Sequence, residues 1–181
     1  CGSDFPVSMR LGLKTFVKGF EKASLTGEEE IGRTLEEGIE IAKLLESYGY
    51  DCLNVDTGIY DSFYYACPPM YMPKGYLVEL AAKAKEAVNI PILAGGRMNE
   101  ADIAEKAIRD GKIDAVVLGR AALADPEYPN KVLTGHTEKI RPCIACNQGC
   151  ITRLQQGKQP TCAVNPAAMR EVRYALRPCV Q

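Results

Sequence analysis

IPILAGGRMNEADIAEKAIRDGKIDAVVLGRAALAD, residues 90–125, decides the fold. It opens on an apolar run, IPILAGG at 90–96, too short for a helix and closed by two glycines, which reads as a buried strand. Asn99 and Asp102 then cap a helix that carries Ile103, Ala107 and Ile108 at helical spacing and stops at Gly111. A second apolar run, AVVLG at 115–119, follows. Strand, helix and strand again, with continuously apolar strands, is the signature of a parallel sheet covered on both faces.

The same period extends in both directions. FPVSMRL at 5–11 reads as a strand. Thr26 and Glu29 form a capping box, EEE at 28–30 lies in the first helical turn where the dipole favours acid, and Ile31, Leu35, Ile39, Ala42 and Leu45 recur on one helical face before Gly49. DCLNVDTG at 51–58 is the second strand. A long aromatic loop, IYDSFYYACPPMYMP at 59–73, precedes a helix marked by Leu77, Leu80, Ala81, Ala84 and Val88. A last helix starts near Ala121 and fades before Gly135. Four β–α units fit half of a (β/α)8 TIM barrel or a small doubly wound sheet. Both folds put chemistry at the strand ends, which here carry Arg10, Asp56-Thr57-Gly58, Gly95-Gly96-Arg97 and Gly119-Arg120. Beyond residue 135 regular patterning stops. The expected division is a barrel-type α/β domain over 1–135 and an irregular C-terminal segment over 136–181.

That segment holds RPCIACNQGCITRLQQGKQPTCAVNP, in which Cys143, Cys146, Cys150 and Cys162 read C-x-x-C-x-x-x-C, eleven residues, C. Three thiols in one short loop and a fourth from a second turn suit an iron–sulfur cluster, whose ligands are thiolates. Structural zinc more often takes two matched C-x-x-C pairs about fifteen residues apart, and only one pair is present here. Zinc, and no metal at all, stand as the alternatives. Of the eight cysteines, Cys1, Cys52, Cys67 and Cys179 lie outside the motif. A disulfide framework is the rival reading, but such frameworks belong to smaller chains with dispersed cysteines.

The chain has 181 residues, 46% hydrophobic and 25% charged, which is enough for a packed core. No apolar run approaches the roughly 20 residues of a membrane span and no leader pattern opens the sequence, so the expectation is cytoplasmic. Net charge is −1, but residues 131–181 are basic and the remainder acidic. The basic residues are interleaved with the cysteines and have no aromatic platform. They serve to offset thiolates or a cofactor phosphate rather than to bind nucleic acid. The single histidine, His136, sits in polar GHTEK and reads as a solvated loop residue. Asp56 and Asp61 would form an acid–base pair only if they stood close together and within reach of the substrate, as a general acid must.

Glycine at a strand end lets backbone N–H groups approach a ligand, and a neighbouring arginine grips phosphate oxygens in a bidentate fork. Two Gly-Arg pairs on consecutive units, Gly96-Arg97 and Gly119-Arg120, match the phosphate site that barrels build after strands 7 and 8.

DFPVSMRL, NVDTGIYDSFYYACPPMYMPKG, IPILAGGRMN, VVLGRAALADPEY and RPCIACNQGCITRLQQGKQPTCAVNPA together resemble the iron–sulfur flavoenzymes of the old yellow enzyme family. These are the clostridial 2-enoate reductase and 2,4-dienoyl-CoA reductase type, and the tyrosine-rich PPMYM loop is nearer the enoate reductases. The resemblance implies FMN in a (β/α)8 barrel, one [4Fe–4S] cluster, and a downstream domain for FAD and NAD(P)H. It gives Arg10 to the flavin ring, Arg97 and Gly119-Arg120 to the FMN phosphate with Gly96 beside them, and Cys143, Cys146, Cys150 and Cys162 to the cluster. It puts Asp61, Ser62 and Tyr64 near substrate. Its four strands are the fifth to eighth of the barrel. The family's proton donor comes from the first four, and the G-x-G-x-x-G fingerprint expected after the cluster segment is missing. The sequence therefore reads as a fragment of a longer enzyme, inactive alone, whose partners are the other barrel half, the dinucleotide domain, an unsaturated acid or thioester, and by self-association another copy. Related flavin barrels act on amines or on steroid-like and bile-acid substrates, and a non-catalytic cluster- or phosphate-binding domain is the remaining reading.

Overall fold

The computed structural model describes residues 2 and 4–174, so Cys1 and Cys179 lie outside the described residues. The chain divides into two compact units, Cys1–Met98 with Asp102–Val117, and Asn99–Ala101 with Leu118–Gln181.

The first unit is built on four parallel strands. β1 (Ser8–Lys14) leads through a hairpin of β2 (Val17–Gly19) and β3 (Lys22–Ala23) into α1 (Leu35–Ser47) and then β4 (Cys52–Thr57). A 3-10 turn (Tyr60–Ser62), α2 (Phe63–Ala66) and α3 (Val78–Ala87) precede β5 (Ile92–Ala94), and α4 (Ala101–Arg109) precedes β6 (Ala115–Val116). The sheet order is β1-β4-β5-β6, each strand parallel to its neighbour. Successive strands are thus added on one side with no reversal. A doubly wound sheet reverses its order at the switch point, whereas a barrel winds in one direction, so these are four units of a (β/α)8 fold.

Alternation along the strands gives the two sheet faces different tasks. Leu11 and Leu13 on β1, Leu53, Val55 and Thr57 on β4, and Ile92 and Ala94 on β5 are buried, as are Leu35, Ala42 and Leu45 of α1 and Val78, Ala81 and Ala84 of α3. Each large side chain buried this way contributes about 1.5–3 kcal/mol. The opposite face carries Arg10, Lys14, Asn54 and Asp56.

Local structure departs from the sequence reading in four places, one being the strand expected over 115–119, of which only Ala115–Val116 pairs, with Leu93 and Ala94. The strand expected over 5–11 runs over Ser8–Lys14, because the ladder from Ser8↔Cys52 to Lys14↔Thr57 holds it there. Arg10 is therefore inside β1, opposite Asn54, not at its end. The first long helix is not capped by Thr26 and Glu29. Thr34 and Glu37 form the box, with Glu37 N–H donating to Thr34 Oγ1 at 3.3 Å and Thr34 N–H to Glu37 Oε2 at 2.8 Å. The EEE run lies ahead of the helix: Glu29 has φ 56°, which no right-handed helix accepts, and it pairs with Lys18. Glu30 pairs with Lys14 at 3.0 Å, and Ile31 is exposed. The last helix is two helices, because Asp125 turns extended ahead of Pro126.

The second unit holds those two, α5 (Arg120–Ala124) and α6 (Tyr128–Leu133), then a 3-10 turn (Thr137–Lys139), a π-type turn (Gln148–Thr152) and α7 (Arg153–Gln155). Among its described residues the buried ones are mostly small or polar: Ala121, Ala124, Ala145, Ala167, Ala168, Asn99, Asp125 and Asn165, with Tyr128 the one large member. A core of alanines buries little apolar area, so hydrogen bonds must supply much of the order. His136 is exposed, with Nδ1 3.5 Å from Glu138 Oε1. Among the described residues no helix is long and apolar enough to cross a membrane.

Candidate metal centre

The four motif cysteines line a single cavity in the second unit, together with Arg120, Leu123, Asn147, Thr161 and Val164 among others. The cavity between them is small, about 20 Å³. Two loops deliver the thiols, and each is fastened by identifiable bonds.

The two loops clasp each other one residue before a cysteine. Thr161 N–H donates to Gly149 O at 2.6 Å, which brings Cys150 and Cys162 to the same place. Gly149 is required there, since a Cβ would lie 2.7 Å from Thr161 O. The first loop is held at its start by Asp125. That carboxylate is 2% exposed and accepts Arg141 N–H at 2.8 Å, Glu127 N–H at 3.1 Å and Lys131 Nζ at 2.5 Å. Burial raises the Asp125 pKa, but Lys131 and the N–H groups of Arg141 and Glu127 outweigh it and hold the carboxyl below the usual aspartate range. Arg141 Nη1 also donates to Ala124 O at 3.0 Å. The second loop is tied to the same helix end, with Asn165 Nδ2 donating to Leu123 O at 2.9 Å. The C-terminal turn of α5 is thus the post to which both cysteine loops are fastened.

Electrostatics reflect the crowding. Burial pushes the Cys143 thiol up, the Ala145 N–H and Arg120 pull it back, and Cys150 and Cys162 push it further up. All six described cysteines are free thiols, so the disulfide framework is not formed among them. No three Cys, His, Asp or Glu side chains among the described residues are gathered as a single ion needs. A zinc ion draws four ligands to within about 2.3 Å of one point. An iron–sulfur cube binds each thiolate through a different iron, so its ligands stand apart around a larger body. Four thiols lining one cavity are a donor set that suits a thiolate-bound metal centre.

The other predicted site residues belong to the first unit, Gly119 and Arg120 excepted. Arg10 is ion-paired with Asp56 on the open sheet face, and its side chain is 60% exposed. Asn54 Oδ1, beside it on β4, is buried without a hydrogen-bond partner. A fixed cation next to an unsatisfied acceptor fits a polar ring ligand. Gly96 has φ +87°, and a Cβ there would meet Leu77 Cβ at 2.9 Å. Arg97 turns to the aromatic loop, where Nη1 donates to Met70 O at 2.7 Å and to Met72 O. Gly119 is the cap of α5.

Asp61, Ser62 and Tyr64 are brought together, but structure already occupies them. Asp61 accepts Glu21 N–H at 2.9 Å, and Ser62, fully buried, donates to Thr15 O and accepts Ile59 N–H at 2.9 Å. Tyr64 packs edge-on against Tyr65, with centroids 5.3 Å apart. Asp56 and Asp61 each have their own partner, Arg10 and the Glu21 N–H. Sequence reasoning missed Asp125, Asn147, Asn165 and the Gly149–Thr161 clasp. The signal available was Asp-Pro ending a helix, and Gly or Thr immediately before a cysteine.

No family model matches the chain. It is similar to the cinnamate reductase of Clostridium sporogenes, 46% identical over 183 residues covering 100% of this chain and 28% of that protein. It is also similar to the NADH oxidase of Thermoanaerobacter brockii, at 42% identity over 96% of this chain and 25% of that one. Among solved structures, a 2-naphthoyl-CoA reductase in complex with 2-naphthoyl-CoA aligns with TM-score 0.82 and 35% identity, over 94% of this chain and 24% of that one. Histamine dehydrogenase from Rhizobium sp. 4-9 aligns with TM-score 0.76 and 26% identity, over 92% and 22%. The chain spans about a quarter of the length of these relatives.

Proposed function

Because the chain belongs with cinnamate reductase, NADH oxidase and 2-naphthoyl-CoA reductase in the iron–sulfur branch of the old yellow enzyme family, we propose that it is the cluster-bearing portion of an NAD(P)H-dependent ene-reductase. The substrate is an alkene conjugated to a carboxylate or thioester. The observation that carries this reading is the cavity onto which Cys143, Cys146, Cys150 and Cys162 all open.

When bound, FMN supplies hydride transfer to the β-carbon of the alkene, and a [4Fe–4S] cluster supplies one-electron transfer from a reduced FAD. The chain's own residues bind and orient these groups. The four cysteines hold the cluster, and the α5 post sets where the two loops stand. Arg10, aimed by Asp56, places a cation where negative charge grows on the flavin ring, which stabilises that charge without reorganisation. Gly96-Arg97 and Gly119-Arg120 are assigned to the FMN phosphate. The aromatic loop at 59–73 screens the mouth from water, with Asp61 and Ser62 holding its shape and Tyr64 presenting a ring. The partners are the other strands of the barrel and an FAD/NAD(P)H domain, and the compartment is the cytoplasm.

The test is anaerobic purification of the full-length protein with assay of iron, acid-labile sulfide and flavin, then NAD(P)H-driven reduction of cinnamate and of an enoyl-CoA. Cys146→Ser should keep FMN and lose cofactor-driven turnover. Turnover that survives the change intact refutes the relay. The likeness to histamine dehydrogenase supports a second reading, amine oxidation. Reduction of the bound flavin by an amine, with no reoxidation by any enoate, would favour it.

A further inference from the structure

We propose that Arg120 acts on the cluster itself: its guanidinium, aimed by Asn147, is the fixed positive charge that holds the reduction potential of the four-cysteine centre up. This rests on the cluster reading above and adds a role that the resemblance, which gives Arg120 to a phosphate, does not contain.

Three observations in the second unit carry it. Arg120 lines the same cavity as all four cysteines, and among the described residues of that lining it is the one with a fixed positive charge; the others are cysteines or neutral. Arg120 Nη1 donates to Asn147 Oδ1 at 2.5 Å. Asn147 lies between Cys146 and Cys150 in the left-handed conformation, φ 60°, where asparagine is tolerated better than most residues. The ligand loop therefore carries its own acceptor for the arginine, and the charge stands at a defined place beside the thiols.

The physics fixes the sign. Reduction adds one negative charge to a body already ringed by four thiolates. A cation nearby stabilises the reduced form more than the oxidised one, so it raises the potential. The effect is strengthened in a half-buried, largely apolar pocket, where the effective dielectric is far below that of water. Arginine suits the task because it stays charged at any working pH and its fork is rigid.

The experiment is an EPR-monitored redox titration of the full-length holoprotein and its variants, with iron, sulfide and FMN content measured alongside. Arg120→Gln should retain iron and sulfide and show a midpoint potential shifted to more negative values. Arg120→Lys should restore most of the shift, and Asn147→Ala, which removes that acceptor from the guanidinium and leaves the charge in place, should shift the potential part of the way. An unchanged potential in cluster-loaded Arg120→Gln overturns the proposal, as does Arg120→Lys behaving like Arg120→Gln. If Arg120→Gln loads no cluster, Asn147→Ala decides: a negative shift supports the proposal and an unmoved potential overturns it. Absence of iron and sulfide from the natural protein would instead refute the cluster reading of the preceding section, and this proposal with it.

Discussion

Replacing Asp125 should loosen the cysteine loop before it touches any cysteine. The carboxylate is almost wholly buried and satisfies the N–H groups of Arg141 and Glu127 and the ammonium of Lys131. Asp125→Ala leaves two N–H donors without an acceptor and strips Lys131 of its anion, though Lys131 keeps its bond to Lys139 O. Breaking a buried pair from one side costs about 3–5 kcal/mol. Asp125→Asn keeps one oxygen acceptor and loses the charge, for about 1.5–3 kcal/mol. The loss falls on the segment entering Cys143, so the assay is hydrogen exchange of the Arg141 amide in the holoprotein. A local loss of about 3 kcal/mol accelerates exchange roughly a hundredfold. The order expected is natural protein slowest, Asp125→Asn intermediate and Asp125→Ala fastest, with cluster loss under chelator in the same order. If the Arg141 amide stays as protected in Asp125→Ala as in the natural protein, Asp125 is not the anchor and the post-and-loop account fails.

Gly149→Ala puts a Cβ 2.7 Å from Thr161 O, so the clasp must open at about 1–3 kcal/mol; iron and sulfide content should fall while circular dichroism stays unchanged. Thr34→Ala should cost about 1 kcal/mol of stability through the lost cap, whereas Thr26→Ala should cost almost nothing, read by urea denaturation. Burial raises the Asp114 pKa, but Lys85 and the Ile92 N–H outweigh it and leave it lowered. Its contribution to stability is therefore present above the unfolded aspartate value of about 3.9 and lost as pH falls through the lower folded value. Asp114→Asn should flatten that acid limb of the unfolding curve.

Much of this was legible in the chain because it depends on local pattern. Ile92 and Ala94, Leu53 and Val55 announce buried strands by composition. The spacing of Cys143, Cys146, Cys150 and Cys162 announces four thiols that line one cavity, because residue type and loop length are written directly in the sequence. Helix starts are not fixed by local pattern alone. Thr26-Glu29 and Thr34-Glu37 satisfy the same capping rule, and only the hairpin of β2 and β3, with Glu29 and Glu30 drawn to Lys18 and Lys14, decides between them.

The direction in which strands were added, β1-β4-β5-β6, came only from the folded chain, since barrel and doubly wound sheets share one β–α period. So did the partners of individual side chains. Arg97 meets Met70 and Met72, Arg120 meets Asn147, and Asp125 meets Arg141 across distances in sequence that no period encodes. Residue type and spacing fix what chemistry a segment is able to offer. Which charge stands beside which acceptor is settled when packing closes the loops between them, and that is a property of the whole fold.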